Sequence, residues 1–304
     1  MQYWPRKRSL SDLPRIRQWA KTEEPKLLGF IGYKVGMKSV FLMQGKSKIL
    51  SPVTVLECPP MKLLSVRAYK TNEFGNFLVK EVFVGASKTA TKYMPKLSSK
   101  KFKEADLESL GSDLDSYSFL KAVIYTQPSL TGIGRKAPQV YEIGLGGKVA
   151  EQFEYAKSLV GKDIRVSDIF GKLPAFVDLH GITKGKGFQG PVKRFGVSIR
   201  FHKSEKTKRG PGSLGSWNSQ GHIMYRVAHA GQTGYHMRTE YNHLLLSASS
   251  DISSINPASG WRHYGIVKND YVLIKGSVQG PSKRSVIFTY PIRNNVFKGQ
   301  LKLA

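Results

Sequence analysis

Short apolar runs broken by Gly, Pro and Ser dominate the first part of the chain. LLGFIGYKVGMKSVFLM from Leu27, VTVLE (Val53–Glu57) and LLSVRAY (Leu63–Tyr69) are rich in β-branched and aromatic residues and predict strands. Gly29, Gly32 and Gly36 inside the first run predict a bulge or a tight corner. FLVKEVFVGA (Phe77–Ala86) predicts a further strand. An acidic stretch at 98–116 carries Phe102, Ala105, Leu110 and Leu114 near helical spacing. Lys121–Thr126 reads as a strand. The best helix is VAEQFEYAKSLV, which places Val149, Phe153, Ala156 and Val160 on one face with Gly161 as its stop. Strand texture returns at Ala175–Thr183, Tyr264–Val278 and Ser285–Tyr290, and Asn269-Asp270 reads as a hairpin turn. There is no internal repeat.

These elements predict a mainly β protein: a small β-barrel with an α/β insertion, a long irregular basic loop and a basic amino-terminal arm. The boundaries follow the texture. Residues 1–26 form the arm, 27–70 the first part of the barrel, and 71–170 the insertion, whose charge is nearly balanced. A barrel strand occupies 171–182, the basic extension 183–243, and the last barrel strands and tail 244–304.

The extension is the most informative segment. Thr183–His243 holds eleven Lys/Arg against Glu205 and Glu240, with glycines throughout and rings between the charges. Its apolar residues follow neither period for more than a few positions, so it is not expected to order itself in water. Dense negative charge and flat stacking faces would order it, and folded RNA has both. The whole chain agrees. Its 304 residues carry 48 Lys+Arg and 21 Asp+Glu, a net +27 that calls for a polyanion. No apolar run approaches membrane-spanning length, and the basic amino terminus lacks the apolar core of a secretory signal. A single cysteine, Cys58, excludes an intramolecular disulfide and a cysteine-based zinc site, and points to reducing cytoplasm.

Phosphate contacts are expected from Lys184, Lys186, Lys193, Arg194, Arg200, Lys203, Lys206, Lys208 and Arg209, and from Arg226 and Arg238 on the returning limb. His236 is expected to stack or to touch sugars. In the arm the same role falls to Arg6, Lys7, Arg8, Arg15 and Arg17, interleaved with Tyr3, Trp4 and Trp19. Pro5, Pro14 and Pro25 disfavour a continuous helix there, leaving either a disordered terminus or an arm that orders on RNA. Trp217, amid Gly210, Gly212, Gly215 and Gly221, has two readings. It is a tryptophan buried where the loop folds back, or an aromatic finger whose stacking on a base is worth roughly 1–3 kcal/mol.

Other motifs compete weakly. Gly185–Gly190 spells G-x-G-x-x-G, but Pro191, Val192 and Gly196 follow instead of an amphipathic helix. Gly144-Leu145-Gly146-Gly147 lies between a strand and a helix, with Asp163 near the place of a ribose-binding acid. It is the basis of the alternative reading, a nucleotide-dependent RNA enzyme; an RNA-binding accessory factor is the other. His222, His229, His236 and His243 recur every seven residues without the spacing of helical zinc ligands. No G-x-S-x-G nucleophile motif and no paired carboxylates occur. No cofactor, metal, small-molecule substrate or membrane is expected.

TKGKGFQGPVKRFG (Thr183–Gly196), RGPGSLGSW (Arg209–Trp217) and HAGQTGYHMRTEYN (His229–Asn242) resemble large-subunit ribosomal protein three of the archaeal and eukaryotic type. GFIGYKVGMKSV (Gly29–Val40) resembles that family's first barrel strands, and HYGIVKNDYVLIKGSVQGP (His263–Pro281) its last. The resemblance implies a translation-factor-type barrel on the outside of the large subunit and no catalysis. It also implies a loop reaching through rRNA toward the peptidyl-transferase centre with Trp217 at its tip, rRNA and neighbouring ribosomal proteins as partners, and a place in cytoplasmic ribosomes. The family usually follows this Trp with His and Pro, whereas this chain has Asn218-Ser219-Gln220-Gly221.

Overall fold

The computed structural model describes residues 6–45, 47–94, 104–216, 221–293 and 301–303. The first half contains β1 (Gly29–Gln44), β2 (Ser47–Glu57), β3 (Met61–Asn72), β4 (Gly75–Phe83), β5 (Phe119–Thr126) and β6 (Val140–Gly144). It also contains helices α1 (Lys88–Tyr93), α2 (Glu104–Gly111) and α3 (Val149–Ser158). Then come β7 (Asp163–Ile164), α4 (Val166–Ile169), β8 (Ala175–Ile182), β9 (Phe188–Gln189) and α5 (Pro191–Phe195). The last strands are β10 (Gly231–Gln232), β11 (Met237–Ser249), β12 (Tyr271–Lys275), β13 (Ser285–Thr289) and β14 (Leu301–Leu303). The chain is mainly β, as its texture predicts.

Six antiparallel strands pair in a closed circuit, β1–β2–β12–β11–β8–β13 and back to β1, with β14 added to the far end of β1. Alternation along β2, β11 and β12 divides their side chains between two cores. Leu56, Leu245, Val272 and Ile274 join one cluster. Val53, Val55, Leu244, Leu246, Tyr271 and Leu273 join the other, which Ile255, Tyr264 and Val267 complete. The register of β1 on β2 shifts between Lys34 and Gly36. A Cβ on Gly36 would stand 2.8 Å from the Trp261 ring, so the glycine admits that ring as well as the bulge.

A second sheet runs β4-β3-β5-β6, with β7 on β3. Leu107 and Leu110 of α2 and Ala156 of α3 share a buried cluster with Val66, Ala68, Leu120 and Ala122 of this sheet. Leu64, Ala90 of α1, Val123 and Tyr125 form another cluster. The expected boundary at residue 70 is therefore corrected, because β3 belongs to the insertion and not to the closed sheet. A strand covered on both faces reads as an unbroken apolar run, and LLSV does not reveal which sheet it joins. α3 starts where expected but ends at Ser158 with Leu159 as its cap, two residues short of Val160, and Gly161 at φ 75° follows in the turn. Of the helix expected at 98–116, α2 and a 3-10 turn at Leu114–Ser116 are present, while Phe102 lies outside the described residues.

The hairpin expected at Asn269-Asp270 is also corrected. Only Tyr271–Lys275 is strand, and the residues before it wrap a buried carboxylate. Glu57 Oε1 accepts hydrogen bonds from Lys268 N (2.8 Å), Asn269 N (3.0 Å) and Asn269 Nδ2 (2.8 Å), and the Tyr264 hydroxyl donates to Oε2. The turn-forming Asn thus answers a side chain sequence-distant from it. Glu57→Ala is expected to destabilise the protein by about 3 kcal/mol or more, because several buried donors lose their acceptor together. Chemical denaturation reads this, and an unchanged midpoint would mean that apolar packing alone holds the loop.

Candidate nucleic-acid interface

β8 and β11 leave the closed sheet side by side, and the chain between them is the extension. Its base is zipped by its own backbone. Thr183 N donates to His236 O (3.0 Å), Lys186 N to Thr233 O (2.9 Å), Thr233 N to Gly187 O (2.8 Å) and Tyr235 N to Lys184 O (3.2 Å). β9 and β10 continue the ribbon, and α5 follows, closed by Gly196 at φ 71°. The expectation of a segment without order of its own is thereby corrected for its base. Backbone pairing supplies there what apolar burial does not. β11 begins at Met237, so the returning limb joins the closed sheet several residues before the expected boundary at 243. Between α5 and β10 the described residues form turns, among them Arg200 N to Lys208 O at 3.0 Å.

The expected phosphate ligands separate into two groups. Lys184, Lys186, Lys193, Arg200, Lys203, Lys206, Lys208, Arg209 and Arg226 are exposed on the extension, and Lys7, Arg8, Arg15 and Arg17 on the arm. Arg6, Arg194 and His236 instead hold the arm to the extension. Arg194 donates through Nε to Gln232 O (3.0 Å), through Nη1 to His229 O (2.9 Å) and through Nη2 to Arg6 O (3.3 Å). Arg6 returns a bond from Nη1 to Arg194 O at 2.5 Å, and both guanidinium groups stand over the Phe195 ring. His236 is buried with Nδ1 2.9 Å from Lys7 O, and burial pushes its pKa down. The stacking role expected of His236 is corrected, because an imidazole enclosed by protein has no face to offer a base. Arg238 is half-buried and donates to Met237 O at 2.9 Å. Trp217 lies outside the described residues.

The arm has partners along most of its length. Ser9 N donates to Tyr235 O (2.8 Å) and Ile16 N to the Tyr141 hydroxyl (2.9 Å), which itself donates to Pro14 O (2.6 Å). Neither reading of the arm anticipated this: its described residues are held by protein contacts and touch both sheets and the extension.

Sequence reading missed a clamp at the root. Arg284 Nη1 donates to Ile182 O (3.2 Å) and Thr183 O (3.0 Å), and its guanidinium lies 5.1 Å from the centre of the Tyr235 ring. Tyr235 donates to Asp12 Oδ1 at 2.7 Å, a bond that raises its pKa. Half-buried Lys34 donates to Gly280 O (3.1 Å); burial, then the charge of Lys184, lowers its pKa. Nothing near Arg284 or Lys34 in the sequence marks them, since their partners are backbone carbonyls remote in the sequence.

His180 of β8 lies beside this root, 4% exposed, with Nδ1 3.0 Å from Thr239 Oγ1 and Nε2 3.2 Å from Thr289 Oγ1. Burial pushes its pKa down to about 4, against an opposing pull from Asp178. The unfolded chain binds the proton more readily, so stability is complete above about pH 6.5 and falls as pH drops toward 4. The expected loss across that window is about 3 kcal/mol. His180→Gln should remove this component from a pH series of unfolding midpoints; an unaltered acid profile would contradict the assignment.

The glycine loops carry no nucleotide geometry. Gly146 N donates to Lys26 O and Gly147 N to Thr22 O, both at 2.9 Å, so the amides that would grip a pyrophosphate are taken by the arm. A Cβ on Gly146 would stand 2.1 Å from Thr22 Oγ1, and one on Gly144 2.9 Å from Trp19. The α5 that follows Gly190 is a single turn of five residues and not the amphipathic helix that a dinucleotide site needs. The four heptad-spaced histidines do not converge: His222 is exposed, His229 and His236 accept or make the bonds above, and His243 pairs with Glu240 at 3.2 Å. Among the described residues, no three His, Cys, Asp or Glu gather to hold a metal, and no helix is long and apolar enough to cross a membrane.

Residues 1–301 match the sequence model of the family described as Ribosomal protein L3. The large ribosomal subunit protein uL3 of Methanothermobacter thermautotrophicus is 41% identical over 304 residues, which cover 95% of this chain and 89% of that one. That of Caldivirga maquilingensis is 41% identical over 312 residues (96% and 89%), and that of Methanococcoides burtonii 40% over 310 residues (97% and 91%).

Proposed function

From the premise that this chain belongs to the ribosomal protein L3 family, we propose that its closed sheet anchors a basic extension which holds rRNA helices together inside the large subunit. As a member of that family it is a structural constituent of the large ribosomal subunit and not an enzyme. The proposal concerns how it acts there. The closed sheet is the small barrel of the resemblance. The extension leaves between β8 and β11 in a direction fixed by its zipped base and by Arg284, and Lys203, Lys206, Lys208 and Arg209 neutralise phosphates where helices crowd. Its tip, with Trp217, reaches toward the peptidyl-transferase centre. Lys7, Arg8, Arg15 and Arg17 extend the basic surface along the arm. Neighbouring ribosomal proteins cover other parts of the surface, and the protein works in cytoplasmic ribosomes.

One observation carries this reading. The extension's base spends its backbone polar groups and Arg194 within the protein, while the cations of its distal part are exposed. Binding of the full chain to large-subunit rRNA over a range of salt concentrations tests it. Affinity is expected to fall steeply, with each phosphate contact adding about 0.9 or less to the slope of log K against log [salt]. A salt-independent affinity would contradict it.

A further inference from the structure

Two depressions meet beneath the arm, with cavity volumes of ≈ 460 and ≈ 560 Å³, and share Arg17, Trp19, Asn76 and Lys121 in their walls. One side of the groove is arm, and the other is the face of the second sheet that carries the cross-strand pairs Tyr69–Phe119 and Arg67–Lys121. Tyr69 and Phe119 stack at 5.2 Å and 11°, and Lys121 Nζ stands 4.6 Å from the Tyr69 ring centre. Glu142 is the one carboxylate among the described lining residues. Lys121 (2.9 Å) and Arg67 (3.3 Å) already neutralise it. Arg15, Arg17 and Lys21 at the rim are exposed. Asn76 accepts from Thr71 Oγ1 at 2.8 Å, which leaves its NH2 group to donate to a ligand.

We propose that this groove receives one unstacked nucleotide of an RNA strand. Its base lies among Trp19, Tyr69 and Phe119, and its flanking phosphates lie on Arg15, Arg17 and Lys21. The inference rests on the rRNA-binding reading above and adds a second contact, on the insertion and far in sequence from the extension. Flat rings beside cations are what a splayed base and its backbone require. A peptide strand is a poorer fit. The rim cations Arg15, Arg17 and Lys21 match a phosphate backbone, which a peptide lacks, and the strands that carry the stacked rings, β3 and β5, are paired on both edges.

The test places a benzophenone amino acid at exposed Gln18, and separately at Lys206 on the extension, in full-length protein incorporated into large subunits. After irradiation, Gln18 adducts are expected on RNA and concentrated at one nucleotide. In Arg17→Ala/Lys21→Ala subunits that nucleotide should become about fivefold more reactive to base-modifying reagents, the change that ~1 kcal/mol of lost binding produces. Adducts at Gln18 on polypeptide, scattered along RNA, or absent, or a reactivity that does not change, would overturn the groove assignment. The Lys206 probe separates the two readings: RNA adducts there with none at Gln18 defeat the groove alone, and none at either position defeats both.

Discussion

Gly234→Ala is expected to open the base of the extension while leaving the closed sheet folded. Gly234 holds φ 75°, and a Cβ there would stand 1.9 Å from Lys184 O and 3.0 Å from Lys186 N. The obstruction is backbone, which no rotamer change relieves. The limbs must therefore separate where Tyr235 N meets Lys184 O and Lys186 N meets Thr233 O. Left-handed strain and overlap together should cost at least about 3 kcal/mol at this site. Gly187 supplies the control. It has φ 67° with nothing within 4 Å of a Cβ, so Gly187→Ala should cost only about 1–2 kcal/mol. Amide exchange at Lys186 and Thr233 reads both. Fast exchange in the Gly234 variant with retained protection in β12 and β13 is expected; equal protection in the two variants would show that the limbs do not depend on this close approach.

Removing three distal cations should change RNA affinity without changing the fold. Lys206, Lys208 and Arg209 are exposed, so each substitution should alter stability by less than about 0.5 kcal/mol. Lys206 holds φ 59°, and asparagine suits that backbone better than alanine. The Lys206→Asn/Lys208→Ala/Arg209→Ala variant should lower the magnitude of the salt slope by up to about 2.7, each lost contact removing about 0.9 or less. Filter binding to large-subunit rRNA across salt concentrations measures it. A slope equal to that of the unaltered protein would remove these residues from the interface. Arg194→Ala, by contrast, should act through the ties to His229, Gln232 and Arg6, and loosen the arm and α5 instead of shifting the slope.

The strands of the closed sheet were legible as short β-branched or aromatic runs such as VTVLE and YVLIK, whatever core their side chains enter; Tyr271 to Ile274 alternate between two cores, whereas Val286, Ile287 and Phe288 of β13 all join one. β3 was legible as a strand but not as a member of the second sheet, since burial on both faces erases alternation. The basic extension was legible as a whole from its charge, and its division was not. Arg194 and Lys193 are neighbours of the same sign, yet one is bonded to three backbone carbonyls and the other is exposed. Carbonyls leave no trace in side-chain chemistry, which also hid the role of Arg284. Asn269-Asp270 misled for a related reason. A residue that favours turns because it bonds nearby backbone can equally bond a remote carboxylate such as Glu57.

On the proposed function, this protein resides in the large subunit as one of its structural parts and is held there by rRNA. Tagged full-length protein sedimented from lysate, at magnesium low enough to separate the subunits, tests that most directly. One copy per large subunit, retained through a high-salt wash, is the predicted result. Protein that stays at the top of the gradient, or leaves the subunit in the wash, would contradict the account.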